Sequence, residues 1–182
     1  MILKNYDMEE DRIQLRKAIE DLESSSLEKR LGALEVLGRL RTRESIHFLL
    51  RCLHDESWHL RDRAAKILGS HGKKIFFHLK GVIRDGLWYA RACSAKAIGE
   101  TGEVEGLDLL FPLLEDESRA VRHEAQVALS KIITKDPSQV FNGYLELKDP
   151  NFVRNFLERL RRSDPKSYEL LIQSHLSQKK KE

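Results

Sequence analysis

At 182 residues the chain is long enough for one well-packed domain and short for two. Charged residues make up 34 % and hydrophobic residues 41 %, which argues against a disordered chain, while four prolines and seven phenylalanines argue against an aromatic-rich β-sandwich. The net charge of +3 is too small to imply nucleic acid by itself, and it is uneven: Arg154 to Glu182 carry eight basic and four acidic residues, leaving −1 for residues 1–153. "MILKNYDMEED" has no apolar leader core, and no apolar run reaches the roughly eighteen residues a membrane span needs. Cys52 and Cys93 are not spaced as a metal clip and suit a reducing compartment. The expectation is a soluble cytoplasmic protein with no membrane contact.

The first helical pattern is "QLRKAIEDL" (Gln14–Leu22), followed by a second that opens at Arg30, "RLGALEVLG". "SIHFLLRCL" (Ser45–Leu53) then precedes "RDRAAKILG" from Arg61. "IFFHLKGVI" (Ile75–Ile83) precedes "RACSAKAIG" from Arg91, and "GLDLLFPLL" (Gly106–Leu114) precedes "RHEAQVALS" from Arg122. "VFNGYLEL" (Val140–Leu147) stands in approximately the same register before a degenerate fifth copy, "RNFLERLRR" from Arg154. The anchor arginines are 31, 30, 31 and 32 residues apart. Alanines inside each second helix permit close approach, Gly38, Gly69 and Gly99 mark where those helices end, and Ser26, Ser57 and Ser118 stand where N-caps belong.

Each repeat is therefore a helical hairpin that cannot cover its own apolar stripe, so successive hairpins must stack. The predicted fold is an all-α, right-handed α-α solenoid with hairpins at about 11–42, 43–72, 73–102, 103–134 and 135–162, a closing helix at 165–176 and a flexible basic tail at 177–182.

The recurring Asp, then Arg, then "AAxALG"-like run resembles the HEAT-type repeats of the phycobilisome-lyase class over roughly residues 11–162. The resemblance implies an Asp–Arg ladder between neighbouring repeats, built here from Asp55, Arg61, Asp85, Arg91, Asp116, Arg122, Asp149 and Arg154. Ser24 replaces the acid in the first repeat, so the ladder should be missing or capped there. These charges read as scaffold rather than catalysis.

Enzymes built on related solenoids set three tests. Deoxyhypusine hydroxylases need several His-Glu pairs converging on iron, and this chain has one, His123-Glu124. Phycobilin lyases are met only at the level of the repeat. HEAT-like DNA glycosylases need a basic concave face, whereas the positions expected there mix signs: Glu35, Arg39, Asp62, Arg63, Lys66, Lys96, Glu100, Glu124 and Lys131. No catalytic residue, metal ligand or cofactor is assigned.

Trp58 and Trp88 stand at the start of second helices, where nothing in the repeat demands an indole. Three readings are open: a ring folded back as a hydrophobic staple, an aromatic strip offered to a partner, or a site for a small ligand. The partner-binding set is then Trp58, His59, Trp88, Tyr89, Arg63, Lys66, Cys93 and Lys96, with Cys93 expected to be inert. The function that follows is a non-enzymatic scaffold for another protein or peptide. The alternatives are a phycobilin-lyase-like enzyme or chaperone, and a nucleic-acid binder using Arg154, Arg159, Arg161 and Arg162 in the basic last repeat. Nothing in the sequence sets an oligomeric state.

Overall fold

The computed structural model describes residues 2–180. Ten α-helices follow in order: α1 (Ile2–Leu22), α2 (Leu27–Leu40), α3 (Arg43–Arg51), α4 (Trp58–Gly69), α5 (Phe76–Asp85), α6 (Trp88–Thr101), α7 (Leu107–Leu113), α8 (Arg119–Lys135), α9 (Pro150–Ser163) and α10 (Pro165–Lys179). No strand occurs among the described residues. The helices pair as α1/α2, α3/α4, α5/α6 and α7/α8, and a π-helical turn, Gln139–Tyr144, takes the first-helix place before α9. The second helices α2, α4, α6 and α8 pack one on the next, and α10 lies against α8 and α9. This is an α-α solenoid.

Leucines and isoleucines from every hairpin meet in one continuous core. Leu34, Leu37, Leu49, Leu53, Leu60, Leu68, Ile75, Leu79, Ile98, Leu107 and Leu110 are all fully buried. Each such side chain contributes about 1.5–3 kcal/mol on leaving water. Between α4, α6 and α8 the core is thin and made of alanine (Ala64, Ala65, Ala95, Ala97, Ala125 and Ala128), which lets the second helices approach closely.

The glycines lie near helix ends as expected: Gly38 and Gly99 stand two residues before the ends of α2 and α6, and Gly69 is the last residue of α4. Their shared property is contact with the following second helix. A Cβ on Gly38 would stand 2.6 Å from Ile67 Cγ2, one on Gly69 2.4 Å from Glu100 Cβ, and one on Gly99 2.7 Å from Ala128 Cα. They are the points where helix crosses helix.

Helix starts differ from expectation. Ser26 caps α2 through its hydroxyl, which accepts from Lys29 N–H. Ser57 and Ser118 occupy the N-cap positions of α4 and α8 without a side-chain cap bond. The acid two residues earlier organises those turns: Asp55 Oδ1 accepts from Ser57 N–H and Asp116 Oδ1 from Ser118 N–H, each at 2.8 Å. Asp149 and Asp164 cap α9 and α10, and Pro150 and Pro165 follow where a missing N–H costs nothing.

Two ends depart from the expected bounds. The first helix begins at Ile2, well before Gln14, because residues 2–13 contain no glycine or proline to stop it; residues 9–13 are exposed, so no apolar period announced them. At the other end, residues 177–179 of the expected tail continue α10, and residues 181 and 182 lie outside the described residues. Ser167 and Ser174 of α10 bond Ser130 and Ser138, and the His175 ring stacks on Phe141 with centroids 3.7 Å apart.

Candidate functional site

Three of the repeat arginines, Arg61, Arg91 and Arg122, stand near the start of their second helices and share one anchoring mode. Arg61 Nη1 donates to the carbonyls of Asp55 (2.6 Å) and Glu56 (2.9 Å), Arg122 Nη1 to those of Asp116 (2.7 Å) and Glu117 (2.9 Å), and Arg91 Nη1 to that of Gly86 (3.0 Å). This leaves the Nε and Nη2 edge free to reach the next hairpin. Arg91 uses it fully: Nε and Nη2 donate to Asp116 Oδ2 and Oδ1, both at 2.8 Å. Arg30 pairs with Asp55 through Nη2 alone.

The other rungs of the expected ladder do not form. Asp85 faces solvent and pairs with its neighbour Arg84 at 2.7 Å. Asp149 caps its own helix, and Arg154 is exposed. The reason is visible in the spacing. In the two rungs that form, the acid follows its arginine by 25 residues; the residue 25 after Arg61 is Gly86, in a hairpin one residue shorter, and the residue 25 after Arg122 is Leu147. Nor could an acid stand at position 86 unaltered, because a Cβ there would lie 2.3 Å from the Val82 carbonyl oxygen. In place of a carboxylate, the Arg61 guanidinium lies over the Tyr89 ring, 4.8 Å from its centroid. The fifth hairpin is held otherwise: Tyr144 and Lys148 both donate to Asp108 (2.7 and 2.8 Å), and Phe111, Phe152 and Phe156 form an aromatic cluster.

Around Arg61 opens a cleft of about 340 Å³, bounded by α4, α6 and α8. Trp58, Trp88, Tyr89, Cys93 and Lys96 line it, as do Arg61, Asp62, His123 and Glu124. Both indoles are exposed, Trp58 by 61 % and Trp88 by 51 %, so neither is folded back as a staple. His59 stacks on Trp58 with centroids 3.9 Å apart, and Trp88 meets Tyr89 edge-on at 5.6 Å.

Arg63 and Lys66 lie outside this cleft and are already engaged. Arg63 pairs with Glu35, and Lys66 holds Asp62 at 2.8 Å from one side while Lys96 holds it from the other. Burial works against the Asp62 carboxylate, but these two lysines outweigh it and keep its pKa below the ordinary range. Lys131 pairs with Glu100 at 2.7 Å. Most of the mixed charges of the second helices are thus taken up in ion pairs, three of them between neighbouring helices. In the last repeat, Arg159 is likewise taken up by Glu115 (2.8 Å) and the Phe111 ring, while Arg154, Arg161 and Arg162 remain exposed.

Burial raises the Cys93 thiol and pushes Cys52 up to about 12, so neither is a ready nucleophile. No group of three or more His, Cys, Asp and Glu side chains is placed to hold a metal among the described residues.

Asp62 and Glu124, expected on the concave face but not among the partner contacts, line the cleft, as do His123, expected only as half of a surface pair, and Arg61, expected in the ladder. The signal was present in the repeat register. His123 and Glu124 occupy the places of Ala92 and Cys93 one repeat later, so stacking had to bring them alongside.

No described helix is long and apolar enough to cross a membrane. No curated protein matches the chain. A sequence model of HEAT repeats matches residues 15–75 and 78–161, most of the length, and covers the paired helices that build the cleft. The chain belongs to the HEAT-repeat family.

Proposed function

We propose that this protein is a non-enzymatic scaffold that docks another protein or peptide in the cleft beside Trp58 and Trp88. The observation that carries the reading is the exposure of both indoles on one cleft, in a fold that needs neither for packing. Large aromatic side chains held in place by a rigid helical stack lose little entropy on contact, which is why Trp and Tyr dominate interface hot spots. We assign the repeats to the phycobilisome-lyase type on the "RDRAAKILG" pattern, with the scaffold used for binding rather than chemistry. The two free thiols, Cys52 and Cys93, fit a cytoplasmic setting.

The test is the Trp58→Ala/Trp88→Ala variant. Emission of the wild type should be red-shifted and readily quenched by acrylamide. Stability of the variant should stay within about 0.5 kcal/mol of wild type, as for surface sites. Partners recovered from the native cell by the wild type should be lost, with a cost of about 2 kcal/mol or more in binding. Retention of every partner by the variant would overturn the reading, and salt-steep retention on DNA would favour a nucleic-acid binder instead.

A further inference from the structure

The broken rung beside the tryptophans gives the cleft a chemical preference. Arg61 is anchored through Nη1 as Arg91 and Arg122 are, half-buried at the start of α4, and its Nε and Nη2 find no acceptor among the described residues. That edge is the one with which Arg91 grips both oxygens of Asp116. A planar guanidinium already fixed by two carbonyls and stacked on Tyr89 is preorganised for one more bidentate carboxylate. No carboxylate of the described residues accepts from that edge: Asp85 is turned to Arg84, and Asp62 is bound by Lys66 and Lys96.

We infer that Arg61 receives the carboxylate of an Asp or Glu side chain of the docked peptide, in place of the missing ladder acid, while a large apolar residue next to that acid packs against Trp58 and Trp88. This rests on the docking reading above and adds the partner's chemistry to it. The other titratable groups of the cleft set the limits. Lys96 is already shared with Asp62, so it adds little field of its own. Glu124, on α8, has no ion pair among the described residues and stands across α6 from Arg61, so it disfavours a run of acids but not a single one. His123 beside it adds positive charge only when protonated.

The experiment uses a random dodecapeptide phage library panned on the immobilised full chain, with the Trp58→Ala/Trp88→Ala protein as counter-selection. Peptides that need the tryptophans should carry one Asp or Glu within two positions of a Leu, Ile, Met, Phe or Trp. In amidated synthetic versions, replacing that acid by its amide should weaken binding about tenfold or more, and Arg61→Lys should lose a similar factor. Arg122→Lys, which has the same anchoring but lies outside the cleft, should bind like wild type. The peptide-side substitution decides the matter even if the Arg61 variant folds poorly. Trp-dependent peptides that lack the acid, prefer Lys or Arg, or ignore the acid-to-amide change would overturn the carboxylate assignment and leave the docking reading standing. Recovery of no Trp-dependent peptide would count against both.

Discussion

Arg91 and Asp116 stand 25 residues apart and close a two-pronged ion pair between the third and fourth hairpins, their side chains only 14 % and 8 % exposed. Burial alone would raise the Asp116 carboxylate. The hydrogen bonds from Arg91 and from Ser118 N–H override it, so its pKa lies below the ordinary 3.8. A depressed carboxylate pKa adds stability that is present above the unfolded value and is lost as pH falls through the folded one. The first prediction is that Asp116→Ala costs about 2–3 kcal/mol in urea unfolding at neutral pH, because Arg91 loses its bidentate partner in a largely buried junction and keeps only the exposed Glu117. Asp85→Ala should leave the urea midpoint where it is, since that acid faces solvent. Equal effects of the two substitutions would mean the ladder is uniform after all.

The second prediction pairs two glycines. Gly99→Ala would place a Cβ 2.7 Å from Ala128 Cα and Cβ, atoms that cannot swing away, and should destabilise by about 1–3 kcal/mol. Gly32, in the exposed middle of α2, has nothing within 4 Å of such a Cβ. Gly32→Ala should therefore stabilise by about 0.5–1 kcal/mol, through helix propensity alone. Opposite signs in thermal melts would establish that these glycines differ by what crosses them.

Leu110, fully buried in α7, supplies the third. Leu110→Ala should cost about 2–5 kcal/mol by lost transfer energy and the cavity left between hairpins. A change below half of the lower bound would place this side chain outside the core.

The fourth concerns pH. His71 is 8 % exposed; its Nδ1 donates to the Ile67 carbonyl at 2.8 Å and its Nε2 has no partner among the described residues. Burial, which outweighs the Ile67 carbonyl and is reinforced by Arg41 and Lys74, holds its pKa below 6.5. The unfolded chain therefore takes up this proton first. Stability is complete above about 6.5 and falls as the pH drops from there toward the lowered folded value. Urea unfolding at about pH 7.5 and about pH 5 should show a smaller acid loss in His71→Gln than in wild type. The same slope in both proteins would assign the acid sensitivity elsewhere.

The recurrence of Arg30, Arg61, Arg91, Arg122 and Arg154 determined the hairpin period, the all-helical class and the continuous apolar core. These follow from local periodicity, because which face a helix buries is set by residues three and four positions apart. Even the broken rung was written in the chain, as a 30-residue interval ending in "DGLW" where its neighbours read "DESW" and "DESR". What only the tertiary structure decided is what faces what across hairpins. Gly99 reads only as a residue near a helix end until Ala128 is seen to cross it, and Trp58 reads first as a staple until its surroundings are built. Arg63 and Lys66 read as partner contacts until Glu35 and Asp62 close on them, and His123 and Glu124 as a surface pair until α8 brings them to the cleft that Trp88 also lines. Exposure and pairing depend on the rotation and separation of one hairpin on the next. Those are fixed by side-chain volumes at many contacts together, which no local stretch of sequence encodes.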